Sequence, residues 1–225
     1  MDIIEAIRLR HSVRSFTKQP LSDESKTILQ RCIADCNAKG QLHLQLVTDE
    51  PRAFDCLLAH YGKFSGVRNY IAMVGPKGGN LDERVGYFGE RLVLLAQTLG
   101  LNTCWVGLSY TKVPGAWTVA PGEKLVCLIA IGYGDAQGVQ HRSKQPEKVT
   151  VNESDEQLPQ WFVAGTEAAL LAPTALNQQK FKFTLRADGR TVSASAGLGF
   201  YAKVDLGIVK YHFEAAAGVS NFKWE

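Results

Sequence analysis

The chain has 225 residues, of which 45% are apolar and 21% charged, ordinary values for a globular protein with enough length to bury a sizeable core in one large domain or two small ones. A net charge of +3, with no extended Lys/Arg block, argues against a nucleic-acid partner while leaving room for a small anion held by a local cluster. No signal-peptide pattern opens the sequence and no apolar stretch approaches the roughly 20 residues of a membrane span, so no membrane partner and a cytoplasmic location are expected.

In chain order, Ile3, Ile4 and Ile7 mark one face of a first helix over residues 2–10. It runs directly into "RLRHSVRSF", which crowds Arg10, His11, Ser12 and Arg14 together. "PLSDES" starts a second helix, with Ser22 as N-cap and Asp23 and Glu24 favourable in the first turn. Its core face is Ile28, Leu29, Cys32, Ile33 and Cys36. Leu42, Leu44 and Leu46 alternate with period two, the mark of a strand. Pro51 is positioned to open a short helix carrying Phe54, Leu57 and Leu58, and "NYIAMVG" reads as a second strand.

Leu81, Val85, Phe88, Leu92, Leu95 and Leu99 form one apolar stripe on a long helix that stops at Gly100. A stripe that narrow predicts packing against a matching helix. "TCWVG" and the apolar run "LVCLIAIG" give two more strands, and a polar stretch from Gly134 to Pro159 closes the body of the chain. The last third reads as a helix over "QWFVAGTEAALLA", a hairpin turning at Asp188-Gly189, and a helix from about Asp205 to Ala217. Phe181, Phe183 and Leu185 alternate with Lys180, Lys182 and Arg186, and Asp-Gly favours a type I′ turn. Helices alternating with strands predict an α+β fold, a mixed, mainly antiparallel sheet with packed helices.

A faint internal repeat accompanies this order. "IADCNAKGQLHLQL" and "LAPTALNQQKFKFT" both read as a helix end, a polar loop, a Gln and an alternating strand. Later, "LLAQTLGLNTCW" and "FEAAAGVSNFKW" each end a helix at Gly and enter a strand with Trp nearby. The matches keep their order, so the chain reads as internally duplicated, residues 1–150 forming the first copy and 151–225 a shorter, degenerate second. Only the first copy has the basic cluster. Only the second has the loop with Pro173, Thr174, Asn177 and Gln179, where the first has Asp35, Cys36, Lys39 and Gly40.

The five cysteines include no CxxC pair and read as buried thiols, with no metal site expected. No nucleophile elbow, Walker loop or G-x-G-x-x-G after a strand is present, and no His has an obvious acidic partner, so any chemistry points to a cofactor. Arg10, His11, Ser12 and Arg14 suit a phosphate, because guanidinium offers forked donors with a hydroxyl between. Arg142 and Lys144 form a second basic pair. Each cluster taken alone reads more often as solvated surface, and a phosphate site requires that the two converge in space.

Four segments together resemble the FMN-dependent nitroreductase family: "RHSVR" after an apolar helix, "GLNTCWVG" after a long central helix, "IAIGYGDAQGVQHRSKQP" ending a core strand, and the loop "APTALNQQKF". The loop comes in the second half of the chain, which resembles the branch in which a degenerate second copy is fused in tandem, a single-chain pseudo-dimer. The resemblance implies FMN as cofactor and NADH or NADPH as co-substrate. It implies that Arg10, His11 and Ser12 meet the phosphate and ribityl end, with Arg142 and Lys144 closing on the same phosphate. Arg14 would stand by the N1–C2=O edge, where the reduced ring gathers negative charge, and would be the catalytic side chain. Trp105, Val106, Gly107 and Leu108 would pass beside the ring, a backbone N–H reaching N5. Pro173, Thr174, Ala175, Asn177 and Gln179 would supply the loop from the second copy, and Asn69 or Lys63 the flavin's polar edge. Two departures, Asn102 in place of a glycine and Lys180-Phe181 in place of Pro-Trp, are expected to alter the pocket wall.

The implied activity is a ping-pong transfer of electrons from NAD(P)H through FMN to a nitroaromatic, quinone or similar small-molecule acceptor. A flavin-binding sensor or store without turnover, a flavin-dependent dehalogenase or oxygenase on the same fold, and a plain α+β domain are the alternatives. A monomer with one FMN, or a weak homodimer, is expected.

Overall fold

The computed structural model describes residues 1–154 and 156–225; Asp155, in the polar stretch, lies outside them. In chain order the elements are α1 (Ile3–Leu9), α2 (Asp23–Gly40), β1 (Gln45–Val47), α3 (Leu57–Tyr61), β2 (Tyr70–Pro76), α4 (Leu81–Thr98), β3 (Asn102–Val106) and β4 (Glu123–Gly132). They continue with β5 (Thr150–Asn152), α5 (Gln160–Leu170), β6 (Phe181–Leu185), β7 (Thr191–Ala196), α6 (Ala202–Ala217) and β8 (Lys223–Trp224). Helices and mainly antiparallel strands make an α+β architecture. The chain divides into two compact units: Leu9–Leu81 with Arg91–Gln140, and Met1–Arg8 with Asp82–Glu90 and His141–Glu225. Helix α4 thus gives its first half to one unit and its second half to the other.

The first unit is built on a sheet of order β1-β2-β4-β3, antiparallel throughout. Strand β2 is buried at every position before Pro76, and β4 from Val126 onward, so both read as near-continuous apolar runs. One face carries Phe54, Phe64 and Tyr70, with Trp117 edge-on to Tyr70 at 5.8 Å. Helix α2 starts as its sequence dictates: the Ser22 hydroxyl accepts the Ser25 N–H at 3.1 Å.

Two local expectations change. The leucine strand is shorter, because Asn37 takes both backbone groups of Leu44, accepting its N–H at 2.7 Å and donating to its carbonyl at 3.0 Å, and the ladder begins at Gln45. Pro51 does not open a helix. Its carbonyl accepts the N–H groups of Phe54 and Asp55, which closes a turn, and helix α3 begins only at Leu57.

The second unit holds a sheet of order β5-β6-β7-β8. Its centre is the expected antiparallel hairpin, in which the Asp188 carboxylate accepts the N–H groups of Arg190 and Thr191. The outer strands pair in parallel. Both are short, and β5 lies in the stretch expected to be a polar linker. The core is aromatic: Phe183 and Phe213 have centroids 4.6 Å apart, with Phe162, Phe222 and Trp224 around Phe213.

In this unit the first half of α4 crosses α6, but on a different face from the leucine stripe. A Cβ on Gly86 would overlap the Val204 carbonyl oxygen, and one on Gly207 would overlap the Glu83 carbonyl and lie 2.6 Å from the Tyr87 nitrogen. The two helices therefore meet backbone to backbone across glycines. Phe88, of the predicted stripe, is only half-buried.

The segments matched as repeats diverge locally. Helix α2 continues to Gly40, so Asp35, Cys36 and Lys39 are helical, whereas residues 173–179 form a loop with one 3-10 turn at Ala175–Asn177.

Candidate functional site

The basic cluster of the first unit is laid alongside β3 as an extra extended segment. The Val13 N–H donates to the Thr103 carbonyl at 3.0 Å, and Ser12 bridges Thr103 in parallel. Phe16 then takes the Ser65 carbonyl and Thr17 the Tyr133 carbonyl, pinning the far end. An extended backbone alternates its side chains, so Arg10, Ser12 and Arg14 share one side. That side faces Cys104, whose thiol burial pushes up, while Arg14, Arg10 and the Ser12 hydroxyl act to bring it down. "RHSVR" and "TCWVG", ninety positions apart in the sequence, are thus adjacent in this unit.

Arg10 is buried at 4% exposure, an unusual place for a guanidinium, whereas Arg14 is exposed with its guanidinium 5.9 Å from the Phe64 ring centroid. His11 turns the other way, its Cβ against Gly138, whose φ of +73° allows the close approach. After β3, Trp105 and Gly107 are half-buried, Val106 is buried and Leu108 is 65% exposed. Asn69 is buried and accepts the Asp49 N–H at 3.2 Å, so it fastens a turn; Lys63 is exposed.

The second unit contains a cleft of about 370 Å³ lined by Arg142, Ser143, Lys144, Gln145, Asn177 and Gln179. All six come from the two segments singled out in the sequence, which this unit brings together. The joint is a dense set of hydrogen bonds. Gln179 accepts the Lys144 N–H at 2.8 Å and donates to the Arg142 carbonyl at 2.9 Å and to Asn177 Oδ1 at 2.7 Å. Asn177 also donates to the Arg142 carbonyl, at 2.9 Å, and the Lys144 ammonium donates to the Gln178 and Gln179 carbonyls. Both polar ends of the Gln179 side chain are therefore occupied in holding the segment 142–144. Arg142 is exposed at the cleft. His141 Nε2 and the Ser143 hydroxyl both meet the Leu170 carbonyl, anchoring this segment to the end of α5.

The loop itself is tightly bent. Leu176, Asn177 and Gln179 all have φ between 45° and 52°, conformations costly for residues other than glycine. Two devices hold it: Thr174 Oγ1 accepts the Gln179 N–H at 3.1 Å, and Asp205 accepts the Ala175 N–H at 2.9 Å and the Gln178 side-chain amide at 2.7 Å. Pro173 precedes the bend, half-buried. Burial pushes the Asp205 carboxyl up to about 6, against the pull of those two donors.

Sequence reasoning passed over Asp205, Cys104 and Phe64. Asp205 is the acidic residue in the first turn of α6, and its position there is its sequence signal. The two departures expected in a pocket wall have other roles. Asn102 is buried and ties down the turn after β4, accepting the Gly134 N–H and donating to Gln137, both at 3.0 Å. Phe181 is core, 5.4 Å from Phe183, and the Lys180 ammonium donates to the Leu198 carbonyl.

Among the described residues no helix is long and apolar enough to cross a membrane, and no three metal-ligating side chains cluster.

The family model described as "Putative TM nitroreductase" matches residues 2–217. No curated protein matches the chain. Among solved structures, one from Thermotoga maritima MSB8 described as "a putative nitroreductase" shares 23% identity at a TM-score of 0.64, covering 96% of this chain and 83% of that one. A structure of a like-described protein in complex with FMN, from Desulfovibrio desulfuricans, shares 22% identity at 0.53 and covers 71% of this chain and 99% of that one. A third, from Parabacteroides distasonis ATCC 8503 and described as an NADH dehydrogenase/NAD(P)H nitroreductase, shares 18% identity at 0.52 over 65% of this chain and 95% of that one. These likenesses show the fold, which is nitroreductase-like. The family match spans almost the entire sequence and both units, and on that ground the chain belongs to the nitroreductase family.

Proposed function

We propose that this protein is an FMN-dependent oxidoreductase that takes electrons from NADH or NADPH and passes them, in a separate half-reaction, to a nitroaromatic, quinone or similar acceptor. The observation that carries the reading is the extra strand beside β3, which places two guanidinium groups and a hydroxyl on one side of a fixed backbone. That donor set fits a phosphate monoester next to an electron-accepting ring: charge-assisted donors for the phosphate, and a further cation where negative charge collects. Family membership and the FMN held by the Desulfovibrio neighbour support the same reading.

FMN supplies the redox chemistry that side chains do not provide. In the first unit Arg10 and Ser12 would hold its phosphate and ribityl end, and Arg14 would supply the cation for the negative charge of the reduced ring; His11, which the resemblance assigns to the same end, turns to the other side, against Gly138. Trp105, Val106, Gly107 and Leu108 would line the ring and offer it a backbone N–H. The second unit carries its own basic and polar set, Arg142 and Lys144 with the loop residues Pro173, Thr174, Ala175, Asn177 and Gln179, which the resemblance assigns to the cofactor. Gln179 acts there as a positioning residue, since its amide is committed to residues 142–144. Burial of Arg10 against β3 excludes water from one phosphate contact and strengthens it. Nicotinamide and acceptor occupy the same exposed face in turn, which is the basis of a ping-pong scheme.

We read residues 151–225 as a degenerate copy fused in tandem with residues 1–150, so that the chain is a functional monomer with one FMN. Two compact units, each with its own four-stranded sheet, support this reading. The sheet orders differ, as drift in the second copy would produce.

The test is cofactor retention. Flavin-loaded protein should be yellow, monomeric by light scattering with one FMN per chain, and should oxidise NAD(P)H when an acceptor is present. Arg10→Ala should weaken FMN binding by roughly 10- to 150-fold, the equivalent of about 1.5–3 kcal/mol for a charge-assisted contact. An Arg10→Ala protein that keeps its flavin through dialysis as well as the parent overturns the phosphate assignment. Bound flavin without NAD(P)H oxidation would leave a flavin store instead of an enzyme.

A further inference from the structure

Helix α2 carries two thiols that the flavin reading does not use. Cys32 and Cys36 stand one turn apart, with their sulfurs 4.0 Å from each other. Cys32 is half-buried and within reach of solvent, while Cys36 is 0% exposed. The second half of α4 brings Arg91 to the same place, where its guanidinium meets Asp35 at 2.6 Å, and Lys39 meets the other oxygen of that carboxylate at 3.0 Å. Two cations and one carboxylate thus surround the pair.

We propose that Cys32 and Cys36 form a peroxide-reactive dithiol site, in which Cys32 is the attacking sulfur and Cys36 the resolving one, and that small hydroperoxides are its substrates. The site does not depend on the flavin reading.

The electrostatics favour this division of labour. The hydrogen bond between the two sulfurs, with the Arg91 and Lys39 charges, brings the Cys32 thiol down to about 7, against burial and the Asp35 carboxylate. A thiolate is the reactive form, and a thiol titrating near ambient pH combines a large thiolate fraction with good nucleophilicity. The same hydrogen bond, burial and the neighbouring thiolate push Cys36 up. Cys36 therefore waits as a protonated, enclosed partner while Cys32 meets the oxidant.

The chemistry balances in two steps. The Cys32 thiolate attacks the terminal oxygen of ROOH, an S–O bond forms as the O–O bond breaks, and ROH leaves with a proton from solvent, giving a sulfenic acid. Cys32 then carries no negative charge, so two of the causes that hold Cys36 protonated disappear. Its sulfur attacks the Cys32 sulfur, the S–O bond breaks, and water departs with the Cys36 proton. The two thiols lose two electrons and the peroxide gains them. In the helix, residues i and i+4 have Cα atoms about 6.2 Å apart, inside the roughly 4.4–6.8 Å range of disulfides, but Cβ atoms about 5–6 Å apart, beyond the roughly 3.5–4.5 Å a disulfide needs, so the bridge closes only as the last turns of α2 (Asp23–Gly40) open. A bond so placed is strained and readily reduced by a thiol, which makes the site reversible.

Trypsin provides a direct readout, because cleavage after Arg31 and Lys39 releases both cysteines in one peptide, "CIADCNAK". After brief exposure of the folded protein to a stoichiometric hydroperoxide, denaturation and alkylation, this peptide should lose two hydrogens and both alkylation sites. Dithiothreitol should restore them. Cys56, equally half-buried, should remain alkylatable under the same exposure. Cys36→Ala should stop the reaction at a dimedone-trappable sulfenic acid on Cys32, and Cys32→Ser should leave Cys36 unoxidised. Full alkylation of the peptide after exposure, oxidation no faster than at Cys56, or a Cys32→Ser protein whose Cys36 still reacts, would each overturn the proposal.

Discussion

His212 and Glu90 form a closed pair in the second unit: Nε2 lies 2.8 Å from Oε1 and neither side chain has any exposure. The other ring nitrogen faces the Ala168 carbonyl at 3.0 Å. A carbonyl only accepts, so Nδ1 is the donor to Ala168. The pair joins the first half of α4 to α6 and, through Ala168, to α5. Removing one partner leaves the other buried without its counterpart, which costs about 3–5 kcal/mol. Glu90→Ala and His212→Ala should each lower the urea midpoint by that equivalent, and Glu90→Leu with His212→Leu should recover much of the loss. Single variants within 1 kcal/mol of the parent, by order of magnitude for surface changes, would show that the pair is a bystander.

Asp205 should make stability depend on pH. Its carboxyl is raised to about 6 from the ordinary 3.8, with burial as the largest cause. A raised carboxyl favours the folded state while it is protonated. The contribution is complete below about pH 4 and is lost as pH rises through about 6, an amount on the order of 3 kcal/mol. Asp205→Asn removes the titration, so the difference in unfolding free energy between parent and variant should change across pH 4–7 in favour of the parent at the acid end. A constant difference would mean that Asp205 does not titrate there. Because Asp205 also fastens Ala175 and Gln178, Asp205→Ala should speed amide exchange in residues 173–179.

Arg14 is open to a test that separates binding from redox tuning. Its guanidinium is exposed above the Phe64 ring, whereas that of Arg10 is buried. On the proposed placement Arg14→Leu leaves FMN bound but lowers its midpoint potential, since the reduced ring loses a neighbouring cation. A loss of ~1.4 kcal/mol corresponds to about 30 mV for a two-electron couple. Spectroelectrochemistry of the flavin-loaded variant reads this directly, and an unchanged potential would reduce Arg14 to a surface residue stacked on Phe64.

Elements with a long, unbroken signal were legible in the sequence. The apolar stripe fixed the extent of α4, Ser22 marked the start of α2, and Asp188-Gly189 located the hairpin turn, because each signal is local. The short elements were not. Strand β5 is Thr150-Val151-Asn152, with no periodicity to read, and it exists only because β6 offers a parallel edge. The leucine strand lost its first half to Asn37, a residue several positions away. The site divides in the same way. The residue types of an anion site could be read from "RHSVR" and "HRSKQP", but their backbone neighbours could not. That Gln179 spends both ends of its amide on residues 142–144 is a tertiary fact, invisible in a loop that reads simply as polar.

The crossing of α4 and α6 was not legible for a related reason, and it yields the last prediction. Periodicity detects large apolar residues, so the leucine stripe drew the eye, whereas the contact uses Gly86 and Gly207. At both positions an added Cβ would run into the backbone of the facing helix, the Val204 carbonyl in one case and the Glu83 carbonyl in the other. Backbone cannot rotate away as a side-chain tip can, so the helices must separate to admit a methyl. Overpacking of this kind costs about 1–3 kcal/mol and occasionally more, which outweighs the gain of about 1 kcal/mol in helix propensity from glycine to alanine. Gly86→Ala and Gly207→Ala should therefore each destabilise the protein despite improving the isolated helices. Separation of the helices would also stretch the His212–Glu90 contact, so Gly207→Ala combined with Glu90→Ala should cost less than the sum of the two. Alanine variants as stable as the parent at 86 and 207, or strictly additive double variants, would show that the two helices do not meet through these glycines.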